Sequence, residues 1–261
     1  EVLFANIQPL KPGEEKYAIS FAIPMNTKGL KVMSRRSYEE SANSSFDYPL
    51  SSRFDENDAL VYCDDVKVPW ERVFIYKDTD AARGQFQDTY AHYMQNYQAM
   101  TRLMVKMQFQ VGVARRICET IGTVGIPSVA EKLGHMAAQA AMVEGLVYGM
   151  ESGGGMFNGY YVPDRNLMYT AQVLTQQLYP EFVTSMREIA GGGLIMLPSS
   201  AEDFANPELN KYINATQKSA IGSAEEKVKF MKLAWDAIGS EFARRHTQYE
   251  MFYAGAQFVT R

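Results

Sequence analysis

Between residues 90 and 117 the apolar side chains Tyr90, Tyr93, Tyr97, Met100, Met104, Met107, Val111, Ala114 and Ile117 recur at spacings of three and four. A strand places alternate residues on one face, so this rhythm fits an α-helix and nothing else in the regular repertoire. A stripe that long must be covered by other helices. Three further segments can cover it. Val129, Leu133, Met136, Ala140, Val143 and Val147 mark a helix over about 127–151, and a third runs over about 164–189. A fourth, about 223–252, opens at Ser223 with Glu226 three residues on, the signature of a capping box, and carries Val228, Met231, Trp235, Ile238 and Phe242 inward. The breaks between them, "ESGGGMFNGYYVPDR" and "AGGGLIMLPSS", are short and glycine-rich. Long helices with short connections predict a helical bundle over 81–261.

The first eighty residues follow a different pattern. "KYAISFAIP" (16–24) and "ALVYCDDVKVP" (59–69) are rich in Val, Ile, Phe and Tyr and are bounded by Pro, Gly, Asn and Asp. The polar "RSYEESANSSFDYPLSSRFDEND" between them reads as a surface loop. Strands segregated from helices make the chain α+β, with 1–80 as part of a β domain.

Composition narrows the partners. A formal charge of −4 over 261 residues, without a basic cluster, argues against nucleic acid or an anionic membrane. Cys63 and Cys118 lie in unrelated contexts with no zinc spacing, so no metal is expected and a reducing, cytoplasmic setting is. No apolar run approaches a bilayer's thickness. Glu1 opens on a strand already in progress and Arg261 follows directly on "FYAGAQFVT", so the chain reads as a piece of a longer polypeptide.

A few residues carry chemistry. His92 sits among Tyr90, Tyr93, Met94 and Tyr97 with no acidic residue closer than Asp88; it is either a packed histidine or a base facing a flat aromatic ligand. Gly191, Gly192 and Gly193 end the third helix, as a glycine cap does, or else admit close backbone approach by a phosphate. The motif is neither a Rossmann fingerprint nor a P-loop. "YAGAQ" (Tyr253, Ala254, Gly255, Ala256, Gln257) closes the fourth helix and alone reads as a turn. Arg115 lies on the "GVARR" segment, where an arginine is either a solvated charge or a bidentate phosphate partner. His135 is given no role, nor is His246, whose place near the end of the last helix favours its charged form.

A strand ending "DVKVP", a bundle helix with "GVARR", the glycine loop "AGGG" and a late "YAGAQ" occur in this order in the acyl-CoA dehydrogenase-like flavoprotein fold. Within it, "DDVKVPWERVFIYKD", "LPSSAEDFANPEL" and "KLAWDAIGSEFARRHTQYEMFYAGAQ" resemble the two-component flavin-dependent phenol monooxygenases that hydroxylate 4-hydroxyphenylacetate or chlorophenols. The resemblance spans essentially the whole chain and is nearest to the chlorophenol branch. It implies a central β domain followed by a C-terminal four-helix bundle, preceded by an N-terminal helical domain absent from this sequence, in a homotetramer. It also implies reduced FAD, delivered by a separate reductase, reacting with O2 to a C4a-hydroperoxide that hydroxylates a phenol. By this resemblance Tyr253–Gln257 border the flavin, Gly191–Gly193 and Arg115 approach its diphosphate, and "IQPLKPGEEKY" (7–17) covers the substrate.

On the same footing His92 becomes the phenol's base, and the implied reaction is para-hydroxylation of chlorinated or nitro phenols with loss of the para substituent. This fragment alone is then expected to be inactive. The alternatives are an ortho-hydroxylase of the 4-hydroxyphenylacetate type, an acyl-CoA flavoenzyme of the same superfold with Glu188 or Glu250 as its carboxylate, a dehydratase relative, and a non-enzymatic assembly module. The dehydratases use an iron–sulfur cluster, for which two cysteines are too few.

Overall fold

The computed structural model describes Glu1–Ala5 and Leu10–Gln257, the side chain of Gln87 excepted. Along the chain run β1 (Val2–Ala5), β2 (Ile19–Ile23), β3 (Leu30–Ser34), α1 (Ser51–Phe54), β4 (Ala59–Cys63) and β5 (Val73–Tyr76). Then follow α2 (Thr79–Gln87), α3 (Ala91–Ile121), α4 (Pro127–Ser152), the pair β6 (Gly155–Phe157) and β7 (Tyr160–Val162), and α5 (Arg165–Ala190). The chain finishes with α6 (Pro207–Thr216), α7 (Ala224–Ile238) and α8 (Glu241–Phe252). These elements form two compact units, Glu1–Arg36 with Asn57–Gln95, and Ser37–Glu56 with Asn96–Arg261.

In the first unit β2 is the centre of an antiparallel sheet, flanked by β1 and β5. Phe4 opposes Phe21 and their rings stack at 5.2 Å. Buried Ser20 is satisfied on both sides, donating to the Phe4 carbonyl and accepting from Gln85 on α2. A separate ribbon pairs β3 with β4, Val32 facing Val61. Gly29 at its base has φ +90°, and a Cβ there would lie 2.3 Å from the Asp64 carbonyl, so glycine is obligatory. The strand expected over 59–69 stops at Cys63, because Asp65 turns into the left-handed region and Val68-Pro69 cannot extend a ladder. Likewise only Ile19–Ile23 of the 16–24 segment is strand, residues 15–17 forming a 3-10 turn.

The second unit is helical. Its core joins Leu103, Met107 and Ile117 of α3 to Met136 and Val143 of α4, Phe182 and Met186 of α5, and Met231 and Ile238 of α7. Ser223 and Glu226 form the expected reciprocal cap of α7. The single fourth helix resolves into two, α7 and α8. Ser240 re-caps the chain by accepting from the Ala243 N–H, and Gly239 lies so close under Trp235 that a Cβ would meet its ring at 2.3 Å. Trp235 is accordingly not inward but part-exposed.

Strands β3 and β5, helices α1 and α6 and the β6–β7 hairpin have no counterpart among the elements expected from the sequence. Helix α6 is capped by Asn206 with Pro207 at its first position. The β6–β7 hairpin turns on Asn158-Gly159, both at positive φ. The polar segment expected as a surface loop, 36–58, is largely that, with the short α1 inside it and only Asp47 and Ser51 buried; Asp236 accepts from Leu50 N–H, Ser51 N–H and Ser51 Oγ at 2.8, 2.8 and 3.1 Å, and Lys232 pairs with Asp47 at 2.8 Å.

Candidate functional site

The first turn of α3 carries His92, which is buried in the first unit with only 6% of its surface exposed. Phe86 meets it edge-on at a centroid distance of 5.1 Å and Tyr93 at 6.4 Å, giving the imidazole an aromatic setting. Of the tyrosines near it in sequence, Tyr93 is in ring contact with His92, and Phe86 of α2 is added from a neighbouring element.

In the second unit, the 253–257 turn is held from below by α5. Buried Gln172 and Gln176, one helical turn apart, donate side-chain N–H groups to the Ala254 and Gly255 carbonyls. Gln257 returns a bond to the Gln176 carbonyl at 3.3 Å. Gly255 stands at φ +124°, a conformation an L side chain resists, so the glycine of "YAGAQ" is dictated by the backbone. With carbonyls consumed by α5, the turn's shape is fixed by two buried amides.

Tyr253 stacks on Tyr249 at 4.5 Å, and the Arg102 guanidinium lies over both rings at 4.6 and 4.5 Å. Burial pushes the Tyr249 phenol up to about 12. Beneath this stack Glu250 is buried between Arg102, at 3.0 Å, and Lys106. Burial also draws Lys106 below the usual lysine range, and its ammonium lies 3.2 Å from His246 Nδ1.

His246 overturns the expectation from its place in the helix. Burial first, then the charges of Lys106, Arg245 and Arg102, bring it down to about 3, so the imidazole is neutral at physiological pH. A helix-end dipole is the weaker effect here. Of the two carboxylates considered for acyl-CoA chemistry, Glu250 is committed to this ion cluster and Glu188 pairs with Lys132 at the surface.

The glycine run ends α5 as a 3-10 turn over Gly191–Leu194. Gly191 caps the helix at φ +62°. Gly191, Gly192 and Gly193 are exposed, and a Cβ on the first two would meet nothing within 4 Å. Packing therefore does not require Gly192, and the run leaves an open backbone shelf, anchored by buried Leu194. Arg115 is exposed and engaged by Glu119 at 2.8 Å, which holds that carboxyl below its usual range. Gly112, three residues before it, is exposed with nothing within 4 Å of a Cβ.

Part of the expected substrate cover, Ile7–Pro9, lies outside the described residues. Among the described residues no group of three or more His, Cys, Asp or Glu could hold a metal, and no helix is long and apolar enough to cross a membrane. Arg102, Gln172 and Gln176 were not legible as site residues. Each is an ordinary polar residue on a helical pattern, and only tertiary contact reveals what it holds.

A family model described as the C-terminal part of 4-hydroxyphenylacetate 3-hydroxylase matches residues 82–261, and its N-terminal counterpart matches 1–75. The chain is 38% identical over 246 residues to the oxygenase component of 4-hydroxyphenylacetate 3-monooxygenase from Pseudomonas aeruginosa, covering 92% of this chain and 47% of that one. It is 37% identical to the oxygenase component of 4-nitrophenol 2-monooxygenase from a Rhodococcus species, covering 95% and 49%. The chain thus spans about half the length of the curated relatives it matches.

A crystal structure of the 4-hydroxyphenylacetate 3-monooxygenase oxygenase component complexed with FAD and 4-hydroxyphenylacetate superposes with a TM-score of 0.93 at 34% identity, over 99% of this chain and 54% of that one. An archaeal 4-hydroxybutyryl-CoA dehydratase from N. maritimus shares the fold at a TM-score of 0.87 and 20% identity. The α+β, acyl-CoA dehydrogenase-like architecture is therefore established, and with the family model covering more than half of its residues, the chain belongs to the 4-hydroxyphenylacetate 3-hydroxylase family.

Proposed function

We propose that this chain is part of the oxygenase component of a two-component flavin-dependent monooxygenase that hydroxylates a phenol. Residues 1–80 then belong to a central β domain and 81–261 to the C-terminal helical domain, the N-terminal helical domain lying elsewhere in a longer polypeptide. The relatives' names and the FAD complex of a solved family member support this reading. So does the fit of the residues present. The exposed run Gly191–Gly193 leaves bare backbone where a diphosphate would lie, whereas Arg115 is paired with Glu119 and is a diphosphate partner by the family resemblance alone. The 253–257 turn is rigid enough to present a fixed edge to a ring system. Reduced FAD, supplied by a reductase, would provide activated oxygen from O2 when bound. The same reading places the enzyme in the cytoplasm as a homotetramer.

His92 carries the substrate side of the proposal. It is a titratable group buried among aromatic edges, where a flat phenol ring would stack and its hydroxyl proton would meet the imidazole. Accepting that proton raises electron density on the ring carbons ortho and para to the oxygen. The finer reading is para-hydroxylation of a chlorinated or nitro phenol with loss of the para substituent. A second reading, ortho-hydroxylation, is favoured by the names of the relatives, whose numbering puts the new hydroxyl beside the existing one. Hydroxylation of 2,4,6-trichlorophenol and of 4-hydroxyphenylacetate by the full-length protein with its reductase, compared between wild type and His92→Ala, tests both. A base at His92 predicts a fall of about 100-fold or more in product, with O2 diverted to hydrogen peroxide. Unchanged product across pH makes His92 a packing residue. Absence of O2-dependent product with any phenol removes the monooxygenase reading.

A further inference from the structure

Helix α5 holds the backbone of the 253–257 turn through Gln172 and Gln176, which bond two adjacent carbonyls from one side. Two neighbouring anchors on one helix define a hinge line, and rotation about that line is stopped by a contact that lies off it, on another element. Helix α3 supplies such a contact through Tyr253. The Tyr253 hydroxyl donates to Gln98 Oε1 at 3.2 Å, and its ring stacks on Tyr249 at 4.5 Å with the Arg102 guanidinium 4.6 Å from its centroid. Gln98, Arg102 and Lys106 follow one another at four-residue intervals and so share one face of α3.

Arg102 is itself held in place. Its Nη2 lies 3.0 Å from buried Glu250, whose other oxygen is taken by Lys106. Its Nε–H is buried and makes no hydrogen bond. A guanidinium oriented by hydrogen bonding would spend that donor. This one keeps its place over the faces of Tyr249 and Tyr253, where the attraction is to the π systems. The ion pair with Glu250 asks only for a positive charge, which a lysine also carries. Stacking on two rings asks for a flat, delocalised cation, and of the basic side chains arginine is the one suited to it.

We infer that Arg102 is a positioning residue: through the Tyr253 ring it fixes the orientation of the 253–257 turn, and with it the edge offered to the flavin. The inference rests on the reading that this turn borders the flavin. Arg102 acts through the first residue of the motif and not by contact with cofactor or substrate. The pair with Glu250 anchors the guanidinium, and the stack on Tyr253 passes that anchorage to the turn.

The test compares wild type, Arg102→Lys, Tyr253→Leu and the double variant in the full-length protein. Without flavin, native-state hydrogen exchange is read across 253–257 and, as a control, across the buried turns of α3 and α5. Lysine keeps a cation for Glu250, so the urea midpoint and the control exchange are expected to stay near wild type. Exchange within 253–257 is expected to rise about fivefold or more, the weight of two cation–π contacts at a partly exposed site. Anaerobic titration should show reduced FAD bound more weakly by a similar factor in Arg102→Lys, and no more weakly in the double variant than in Tyr253→Leu, because both changes remove one contact. Unchanged exchange within 253–257 in Arg102→Lys overturns the inference, as does wild-type affinity for reduced FAD in that variant. A urea midpoint and control exchange that worsen in step with affinity make the role of Arg102 purely structural and overturn it too. Losses that multiply in the double variant show that Arg102 acts by a route other than Tyr253. Tyr253→Leu leaves the Arg102–Glu250 pair intact and gives the same two readouts if the lysine variant does not fold. Wild type that binds no reduced FAD removes the flavin reading, while the exchange measurement still decides whether Arg102 holds the turn.

Discussion

Replacing His246 by Gln keeps a neutral acceptor for Lys106 and removes the only group in the cluster whose unfolded form takes up a proton just below neutrality. In the folded state His246 remains neutral down to about 3, because burial and the surrounding cations oppose a further charge. In the unfolded chain it protonates near its ordinary value of about 6.5. Below that value the unfolded state binds the extra proton and the folded state does not, so acidification favours unfolding. The stability is intact above pH ~6.5 and drains away as pH falls toward ~3. At about 1.4 kcal/mol per pH unit, moving two units below the unfolded value withdraws up to about 2.7 kcal/mol. Because the imidazole is only half-buried, water relaxes part of that, and about 2 kcal/mol is the working expectation at pH 4.5.

Urea unfolding of wild type and His246→Gln at half-unit steps from pH 7.5 to 4.5 measures this directly. Carboxylates that titrate over the same range are common to both proteins and cancel in the difference. The difference should be flat above pH 7 and then shift in the variant's favour as pH falls. Parallel curves throughout would show that folded His246 accepts a proton as readily as the free side chain, and the account of a neutral imidazole beside Lys106 would be wrong.

Asp236→Ala removes the acceptor for three donors of the 50–51 segment and should cost about 3–5 kcal/mol, read as a lower urea midpoint together with earlier proteolytic cleavage within 37–56. Gly154→Ala places a Cβ 2.5 Å from the Val162 carbonyl and 2.7 Å from the Tyr161 ring, and should lower thermal stability by about 1–3 kcal/mol. Gly192→Ala meets nothing within 4 Å and should leave the melting temperature within a degree or two of wild type, as surface changes do. If the shelf receives a diphosphate, the same variant weakens FAD binding by about tenfold or more in the full-length protein; unaltered affinity would move the diphosphate elsewhere.

The long helices were legible because their information is local. A stripe such as Met136, Ala140, Val143 and Val147 repeats at the helix period within one segment, and all four are buried in the structure. The capping box at Ser223 and Glu226 is likewise a short-range code. The break at Gly239-Ser240 was missed since the apolar period runs through it, and a serine cap inside a periodic run looks like a tolerated polar residue. The β6–β7 hairpin was missed despite its Asn-Gly turn because each strand is only three residues long, too short to show alternation. The surface loop 36–58 is legible from its polar composition, but its anchors are not: Ser51 and Asp47 look solvated until Asp236 and Lys232, almost two hundred residues away, supply partners.

Site residues divide along the same line. Gly255 and Gly191 could be singled out because backbone conformation restricts the residue type and leaves a mark in the sequence. Gln172, Gln176, Arg102 and Glu250 left none, since a glutamine aimed at a carbonyl on another element has the same composition and spacing as one in water. Their cost is visible only in three dimensions. An amide buried on α5 is tolerable when it has a partner, and the carbonyls of Ala254 and Gly255 are those partners. The dependence runs both ways: residues 253–255 cannot change shape without stranding the buried glutamines, and the glutamines cannot be replaced by apolar residues without stranding the carbonyls. The turn gains its fixed shape from that mutual obligation, and for this reason the residues that hold it sit on α5 and not in the motif itself.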